Sequence, residues 1–243
     1  MQMKDEIMIQ FERQGGIGML RLSKPPVNAI SFEDWRAVPS LLKELEADNS
    51  LHSLVIIGAG NHFSAGNDRR EFLVGSREDL DLGTAAVRDG LKAIAETPLI
   101  TIAAVDGAAM GSALGLACFC DVRIGTARAK LGLAEVKAGA FGGYRFVRDW
   151  LPDGEVRKMQ LTGDPIDGAR AYQLGFFQEL VEADMLLSRA TALAGELTQH
   201  IRRGFERKVK RLFVGRQNDQ LWREYEIERL WGVDYLEAGL LRG

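Results

Sequence analysis

Residues 53–68 read SLVIIGAGNHFSAGND and pass from a continuous apolar run, through small residues and Gly66, into charged positions. An apolar run of this length predicts a strand that is buried on both faces, as in a parallel sheet. The glycine and the small residues after it predict a turn whose backbone can approach another group closely. The stretch therefore predicts an α/β fold and marks the end of this strand as a candidate site.

A second stretch repeats this order of features. Residues 99–115, LITIAAVDGAAMGSALG, run from an apolar strand through glycines into a helix of small residues. Each stretch leaves free backbone N–H groups at the start of a helix, where the helix dipole favours negative charge. Two such ends side by side would suit a developing oxyanion, while dense helix–sheet packing is the alternative explanation for the small residues.

The rest of the chain alternates between strand and helix patterns. Residues 7–22 predict a β-hairpin, and Ser31 predicts the start of a helix that runs to about Asp48. A further helix is predicted over residues 84–96. This alternation favours parallel α/β layering, and the pattern becomes helical near residue 190. We therefore expect a core of residues 1–190 and a C-terminal helical appendage of residues 191–243.

Composition excludes several classes of protein. A formal net charge of −3 supplies no basic field for nucleic acid. Cys118 and Cys120 predict buried free thiols, and three scattered histidines offer no metal-binding spacing. Residues 99–120 have the length of a membrane span, but Asp106 and the lack of flanking belts favour a strand, a turn and a buried helix. The N-terminus lacks a signal-peptide pattern, so we expect a cytoplasmic protein without membrane contact.

Common catalytic motifs are absent from the sequence. It contains neither a P-loop nor a dinucleotide-binding pattern, and GSALG places Ser112 outside the nucleophile frame of a hydrolase. Glu135 lies in KLGLAEVKAGAFGG, which is rich in apolar residues, glycine and alanine. A carboxylate in such surroundings loses water and gains proton affinity, as a general base requires. A surface acid at a helix start is the alternative reading of Glu135.

In combination these residues resemble the crotonase family, the enoyl-CoA hydratase and isomerase superfamily, over nearly the whole chain. The resemblance rests on NAIS at residue 28, FSAGND, AAVDGAAMGSALGLACFCDVRIGT, LGLAEV and ARAYQLGFFQELV. It implies a spiral of ββα units and acyl-CoA thioester substrates. Coenzyme A would enter as part of the substrate, so we expect no separate cofactor. It also implies assembly as a homotrimer or hexamer, with residues 191–243 as a trimerisation or capping region.

The resemblance assigns roles residue by residue. The backbone N–H groups of Asn67 and Ser112 would form the oxyanion hole, and Glu135 would be the general acid/base. The residues that would contact coenzyme A are Val27, Ala65, Gly66 and Asp68, with Lys208 and Lys210 of a basic segment as phosphate contacts.

The sequence also departs from the family pattern. The first glutamate of typical hydratases is replaced by Gly115, and GAFGGYRF lacks the usual proline. In this detail the chain is similar to the mitochondrial-type Δ3,Δ2-enoyl-CoA isomerases of fatty acid metabolism, which also lack the first acid and have a modified loop, so we expect an isomerase with Glu135 as its lone proton shuttle. One alternative is a hydratase, a lyase that uses another acid such as Asp68, Glu71 or Asp79. The other alternative is a non-catalytic CoA-ester-binding or scaffold homologue.

Overall fold

The computed structural model describes residues 8–74, 76–140, 142–200, 205, 208–210, 212 and 218–238. Its strands are β1 (Ile9–Gln14), β2 (Ile17–Leu22), β3 (Ser53–Gly58), β4 (Ile100–Val105), β5 (Ala108–Met110), β6 (Val122–Gly125), β7 (Lys130–Gly132), β8 (Ile166–Asp167) and β9 (Glu179–Leu180). Its helices are α1 (Phe32–Ala47), α2 (Arg69–Val74), α3 (Arg77–Glu96), α4 (Ser112–Phe119), α5 (Tyr144–Val147), α6 (Asp153–Thr162), α7 (Gly168–Gln173), α8 (Leu186–Gln199) and α9 (Asn218–Glu237), with a 3₁₀ helix at Ala134–Ala138.

The strands form two sheets. A six-stranded sheet has the order β1-β2-β3-β4-β6-β9, and a three-stranded sheet has the order β5-β7-β8. In the larger sheet β1 and β2 form the predicted antiparallel hairpin, and every later neighbour is parallel. The central strands β3 and β4 are buried on both faces, as their apolar runs predict. The predicted α/β class is confirmed.

The larger sheet separates two apolar cores. The main core contains Trp35 of α1, Leu91 of α3 and Phe146 of α5. On the opposite face, Ile102 of β4 packs in a second core with Ala190 of α8. Residue 190, the end of the predicted core region, therefore lies inside a helix that packs on this sheet.

Capping residues determine where two of the helices begin. Ser31, the predicted start of α1, forms a capping box with Asp34, in which each side chain accepts a hydrogen bond from the backbone N–H of the other residue. The helix predicted over residues 84–96 is longer than expected, because Ser76 and Asp79 form an equivalent capping box at its start. The sequence pattern located its C-terminal part and missed the first two turns.

The apolar segment of residues 99–120 forms β4, β5 and α4. None of the helices in the described ranges is long and apolar enough to cross a membrane.

Cys118 and Cys120 are buried free thiols, as predicted, and burial raises the pKa of Cys120 to about 12. The described part of the chain contains no cluster of three or more side chains that could hold a metal ion.

Candidate active site

The turn after β3 is paired with the segment after β4. The Ser64 N–H donates to the Ala108 carbonyl at 2.8 Å, and the Met110 N–H donates to the Ser64 carbonyl at 3.1 Å. These bonds form a parallel bridge between Ser64 and Ala109. Three residues further along both segments, the same register brings Asn67 beside Ser112. The sequence similarity of the two stretches thus corresponds to physical pairing.

Gly66 makes this close approach possible. Its φ of +85° is in the left-handed region, and a Cβ there would lie 2.5 Å from the Met110 carbonyl oxygen and 3.5 Å from the Ser112 nitrogen. Any larger residue would push the two segments apart. The Ser64 hydroxyl is buried, donates to the Asn28 carbonyl and accepts from the Gly66 N–H. Ser64 therefore supports the turn.

The side chain of Asn67 is held by two donors. The Trp35 indole N–H donates to Asn67 Oδ1 at 2.8 Å, and the Ser112 hydroxyl donates to the same oxygen at 2.7 Å. Within the described ranges, neither the Asn67 N–H nor the Ser112 N–H has a hydrogen-bond acceptor. Ser112 is the first residue of α4, where the helix itself provides no acceptor. Two free backbone donors therefore lie at neighbouring positions.

Glu135 lies in the 3₁₀ helix that follows β7. A Cβ at position 111 would lie only 2.1 Å from Glu135 Oε1, and Gly111 has a φ of +54°. Glycine at position 111 thus leaves room for the carboxyl beside Ser112. Glu135 Oε2 is buried and has no hydrogen-bond partner among the described residues. Burial raises the pKa of Glu135 to about 7, and the charge of Glu228 acts in the same direction.

One cavity of about 90 Å³ joins these groups. Asn67, Ser112 and Glu135 all line it, together with apolar groups that include Phe72 and Phe146. Two amide donors and one carboxyl of raised pKa therefore share a mostly apolar cavity. Such an arrangement can stabilise an oxyanion on one side and move a proton on the other.

Position 115 contributes no acid to this cavity. Gly115 is buried in α4, and a Cβ there would lie 3.0 Å from a ring carbon of Phe146. The Phe146 ring packs in a T-shaped arrangement on Phe119, with the ring centroids 5.4 Å apart. An aromatic ring therefore occupies the space next to Gly115.

The other acids considered from the sequence have different roles. Asp68 binds the side chain of Arg70, which holds the pKa of Asp68 below its usual range. Glu71 accepts from the Phe32 N–H at the start of α1, and Asp79 belongs to the capping box of α3. None of these three acids is among the described residues that line the cavity.

Glu228 was missed by the sequence reasoning, although it lines the cavity. It lies on α9, where its two carboxylate oxygens accept from the N–H groups of Tyr144 and Arg145, each at 2.9 Å. The available signal was its place on the apolar stripe of α9, three residues after the buried Tyr225. An acid on the buried face of a helix is a stronger clue than an acid in a loop.

The residues predicted for coenzyme A fall into two groups. The Ala65 N–H donates to the Val27 carbonyl at 2.9 Å, so the two predicted contact segments meet beside Gly66 and Asp68. Lys208 is exposed, with its ammonium 5.0 Å from the ring centroid of Phe205. The contacts of these residues with coenzyme A stay predictions.

Lys210 is placed differently from its predicted role. It is 2% exposed, and its ammonium binds Asp121 at 2.5 Å, the Thr101 hydroxyl at 3.2 Å and the Leu99 carbonyl at 3.2 Å. A phosphate contact would require this buried ion pair to break, which is costly because the partner charge would be left unpaired. We therefore do not retain Lys210 as a phosphate contact.

Two neighbouring amide donors and a buried carboxyl are groups of the kind that can stabilise an oxyanion and transfer a proton on a carbonyl compound. The family model for enoyl-CoA hydratase/isomerase matches residues 12–235. A probable enoyl-CoA hydratase of Bacillus subtilis (strain 168) is 33% identical over 189 residues, covering 75% of this chain and 73% of the relative. The chain belongs to this family, the crotonase superfamily, and is an enzyme of it.

A second curated relative agrees with this assignment, and a solved structure agrees with the fold. The probable enoyl-CoA hydratase echA8 of Mycobacterium bovis is 33% identical over 200 residues, covering 79% of this chain and 75% of the relative. The crystal structure of an enoyl-CoA hydratase/isomerase from Xanthobacter autotrophicus Py2 has a TM-score of 0.87 and 24% identity, with 94% and 87% of the two chains covered. That structure supports the fold alone.

Proposed function

We propose that this enzyme is an enoyl-CoA isomerase that moves the double bond of a 3-enoyl-CoA to position 2. One observation carries the proposal: Glu135 Oε2 is buried, with no hydrogen-bond partner among the described residues, in the cavity that Asn67 and Ser112 also line. A carboxyl with a pKa of about 7 can both accept and return a proton near neutral pH.

The proposed reaction needs only the groups of this cavity. The thioester oxygen accepts hydrogen bonds from the N–H groups of Asn67 and Ser112. The Glu135 carboxylate removes a proton from C2, and the electrons spread over a dienolate whose oxygen the two amides stabilise. Glu135 then returns the proton to C4, which leaves the double bond between C2 and C3. No water and no second reactant are consumed.

The substitution Glu135→Gln tests this assignment. The amide keeps the size of the side chain but cannot accept the proton, so we expect turnover of a 3-enoyl-CoA to fall by about 10³-fold or more. Formation of the conjugated product is followed by its absorbance, and CoA-ester binding is measured by the rise in melting temperature. Glu182→Gln serves as the control, because Glu182 is exposed and does not line the cavity. Unchanged turnover in Glu135→Gln would contradict the proposal.

Hydration of a 2-enoyl-CoA is the second candidate function. It is favoured by the similarity to relatives that are named probable enoyl-CoA hydratases. Hydration needs a group that orients water, and Glu228 is a second carboxylate on the cavity wall. Loss of the conjugated absorbance of crotonyl-CoA on mixing with the protein would identify this activity, while isomerisation produces that absorbance from a 3-enoyl-CoA.

We also propose self-association as a homotrimer or hexamer of these 26.8 kDa chains. Support comes from a surface groove of about 580 Å³ whose lining includes large apolar side chains that are exposed in the single chain. Leu161 is 78%, Ile227 51% and Trp231 62% exposed, and apolar patches of this kind mark interaction surfaces. Light scattering should return three or six times the chain mass, and a monomer mass would contradict the proposal.

A further inference from the structure

Two glutamates from distant parts of the chain line the same small cavity. Glu135 comes from the 3₁₀ helix after β7, and Glu228 comes from the C-terminal helix α9. The oxygen Glu135 Oε2 is buried without a partner among the described residues. Each oxygen of Glu228, in contrast, accepts a backbone N–H at 2.9 Å. One carboxyl is thus free to exchange a proton, while the other is fixed in place.

The backbone groups that Glu228 holds belong to the wall of the cavity. They are the first two N–H groups of α5, which follow the left-handed Gly143. Phe146 of α5 lines the cavity and packs on Tyr225 of α9, with the ring centroids 3.9 Å apart. Glu228 therefore ties α9 to α5 at the point where both helices meet the cavity.

We propose that Glu228 is a positioning residue for proton transfer at Glu135. It seats the start of α5 against the cavity and places a second carboxylate on the wall that the Glu135 carboxyl lines. This inference rests on the proposed function of Glu135 as proton shuttle. It assigns a role in catalysis to the C-terminal helix α9.

The surrounding charges leave Glu228 as the carboxylate that acts on Glu135. Among the described residues, two other titratable ones line the cavity, Tyr225 and Arg229. Burial raises the pKa of the Tyr225 phenol, which keeps it neutral. The guanidinium of Arg229 is bound by Glu226 and Asp81. Of the described lining residues, Glu228 is therefore the one carboxylate besides Glu135. The one lining cation among them, Arg229, is paired with Asp81 and Glu226 and with neither of these two glutamates.

Most charged groups on the neighbouring elements are paired at the surface. Lys137 of the 3₁₀ helix binds Asp164. On α6, which packs against the 3₁₀ helix, Asp153 binds Arg157 and Glu155 binds Arg170, while Lys158 is exposed. Exposed pairs are screened by solvent and shift a buried group little.

Arg145 of α5 is the buried exception. It binds Asp149 and Glu224, which Arg148 also binds from a more exposed position, and its guanidinium acts on Glu228.

The carboxylate of Glu228 is stabilised by its own donors. Two charge-assisted hydrogen bonds and the nearby guanidinium of Arg145 favour its ionised form, although burial raises the pKa of Glu228 above its ordinary value. A negative charge close to Glu135 disfavours a second negative charge, and this effect adds to burial in raising the pKa of Glu135. Burial therefore contributes most to the working range of the shuttle, and the charge of Glu228 adds to it.

The experiment is the pH dependence of kcat/KM with a 3-enoyl-CoA. Only ionised Glu135 accepts the proton from C2, so the rate of the wild type should rise with pH through a midpoint near 7. Glu228→Gln removes the neighbouring charge at nearly constant size. We expect the midpoint to move to lower pH by about half a unit or more, and the plateau to fall about tenfold as α5 loses one acceptor. Glu237→Gln, the same change at the exposed end of α9, should alter neither value.

One further variant and one further measurement separate the possible causes. Glu228→Asp keeps the charge but shortens the reach, so the plateau should fall while the midpoint stays near 7; it also serves if Glu228→Gln does not fold. A lower plateau with an unmoved midpoint in Glu228→Gln would overturn the proposal.

If the wild type has no isomerase activity, the proposed function fails instead. The carboxyl ¹³C resonance of Glu135, assigned with Glu135→Gln, then still reports whether Glu228→Gln lowers its titration midpoint.

Discussion

The two sides of the cavity are built by different means. The amide side, residues 64–67 and 111–112, consists of backbone groups that a parallel bridge between Ser64 and Ala109 holds in register. The acid side consists of the 3₁₀ helix Ala134–Ala138, α5 and α9, which bring two carboxylates together by packing. The amide side is fixed by hydrogen bonds between neighbouring segments, whereas the acid side depends on helices far apart in sequence.

This difference determines which changes each side tolerates. Every residue except proline has a backbone N–H, so most side-chain changes leave the donors of the amide side in place. The amide side is therefore sensitive to substitution by proline, which removes a donor, and to replacement of its glycines, which changes the backbone geometry. On the acid side a single carboxyl oxygen, Glu135 Oε2, carries the proposed proton transfer. Its proton affinity comes from desolvation and from the charge of Glu228, and both depend on intact packing. The amide side should respond to changes in geometry, and the acid side to changes in charge.

The largest effect expected on the amide side comes from Ser112→Pro. Proline is tolerated at the first position of a helix, and the Ser112 N–H has no acceptor within the described ranges, so the fold should survive. The substitution removes one oxyanion donor, and we expect kcat to fall about 10²–10³-fold with a 3-enoyl-CoA. The pH midpoint of kcat/KM should stay near that of the wild type, because the Glu135 carboxyl is unchanged.

Ser112→Ala is the matched control for this variant. It also removes the hydroxyl that donates to Asn67 Oδ1 but keeps the backbone N–H. Activity of Ser112→Pro equal to that of Ser112→Ala would show that the amide is not an oxyanion donor. The amide side would then form part of the cavity wall without stabilising charge on the thioester oxygen, and the proposed difference between the two sides would be wrong.

The amide side could be predicted from the sequence because its signals are local. The apolar runs locate β3 and β4, and the glycines after each run mark the turns. Two parallel neighbouring strands end at the same edge of a sheet, so their turns meet there. Gly66 and Gly111 both have positive φ and both would clash if they carried a Cβ. Local pattern and tertiary contact agree at these positions.

The acid side could be predicted only in part. Glu135 is recognisable because it lies among apolar and small residues. For Glu228 the apolar stripe of α9 indicates only a buried face. Its place in the cavity depends on how α9 packs on α3 and α5, and no local pattern fixes that docking. A long-range contact also explains why the prediction for Lys210 failed. Its basic sequence neighbours are typical of a solvent-exposed helix face, but its ammonium forms a buried ion pair with Asp121. Contacts between distant helices are the part that sequence reasoning lacked.

The smallest effect should come from Trp35→Phe, which acts on the amide side through a side chain alone. Trp35 is buried in α1 and its indole N–H is one of two donors to Asn67 Oδ1. Phenylalanine removes this donor and keeps an aromatic ring in the core. Since one neutral hydrogen bond contributes about 1 kcal/mol, we expect kcat to fall by roughly threefold to tenfold, with the pH midpoint unchanged.

A double-mutant cycle makes this prediction decisive. Trp35→Phe and Ser112→Ala remove the two donors to one oxygen, so their combined loss of kcat should exceed the product of the single losses. Either variant alone leaves Asn67 held by the other donor, whereas the double variant releases it. All four proteins are assayed well below their melting temperatures, because the smaller ring also costs stability. Strictly multiplicative losses would mean that the two bonds do not act together to hold Asn67. The precision of the amide side would then reside in the backbone bridge alone.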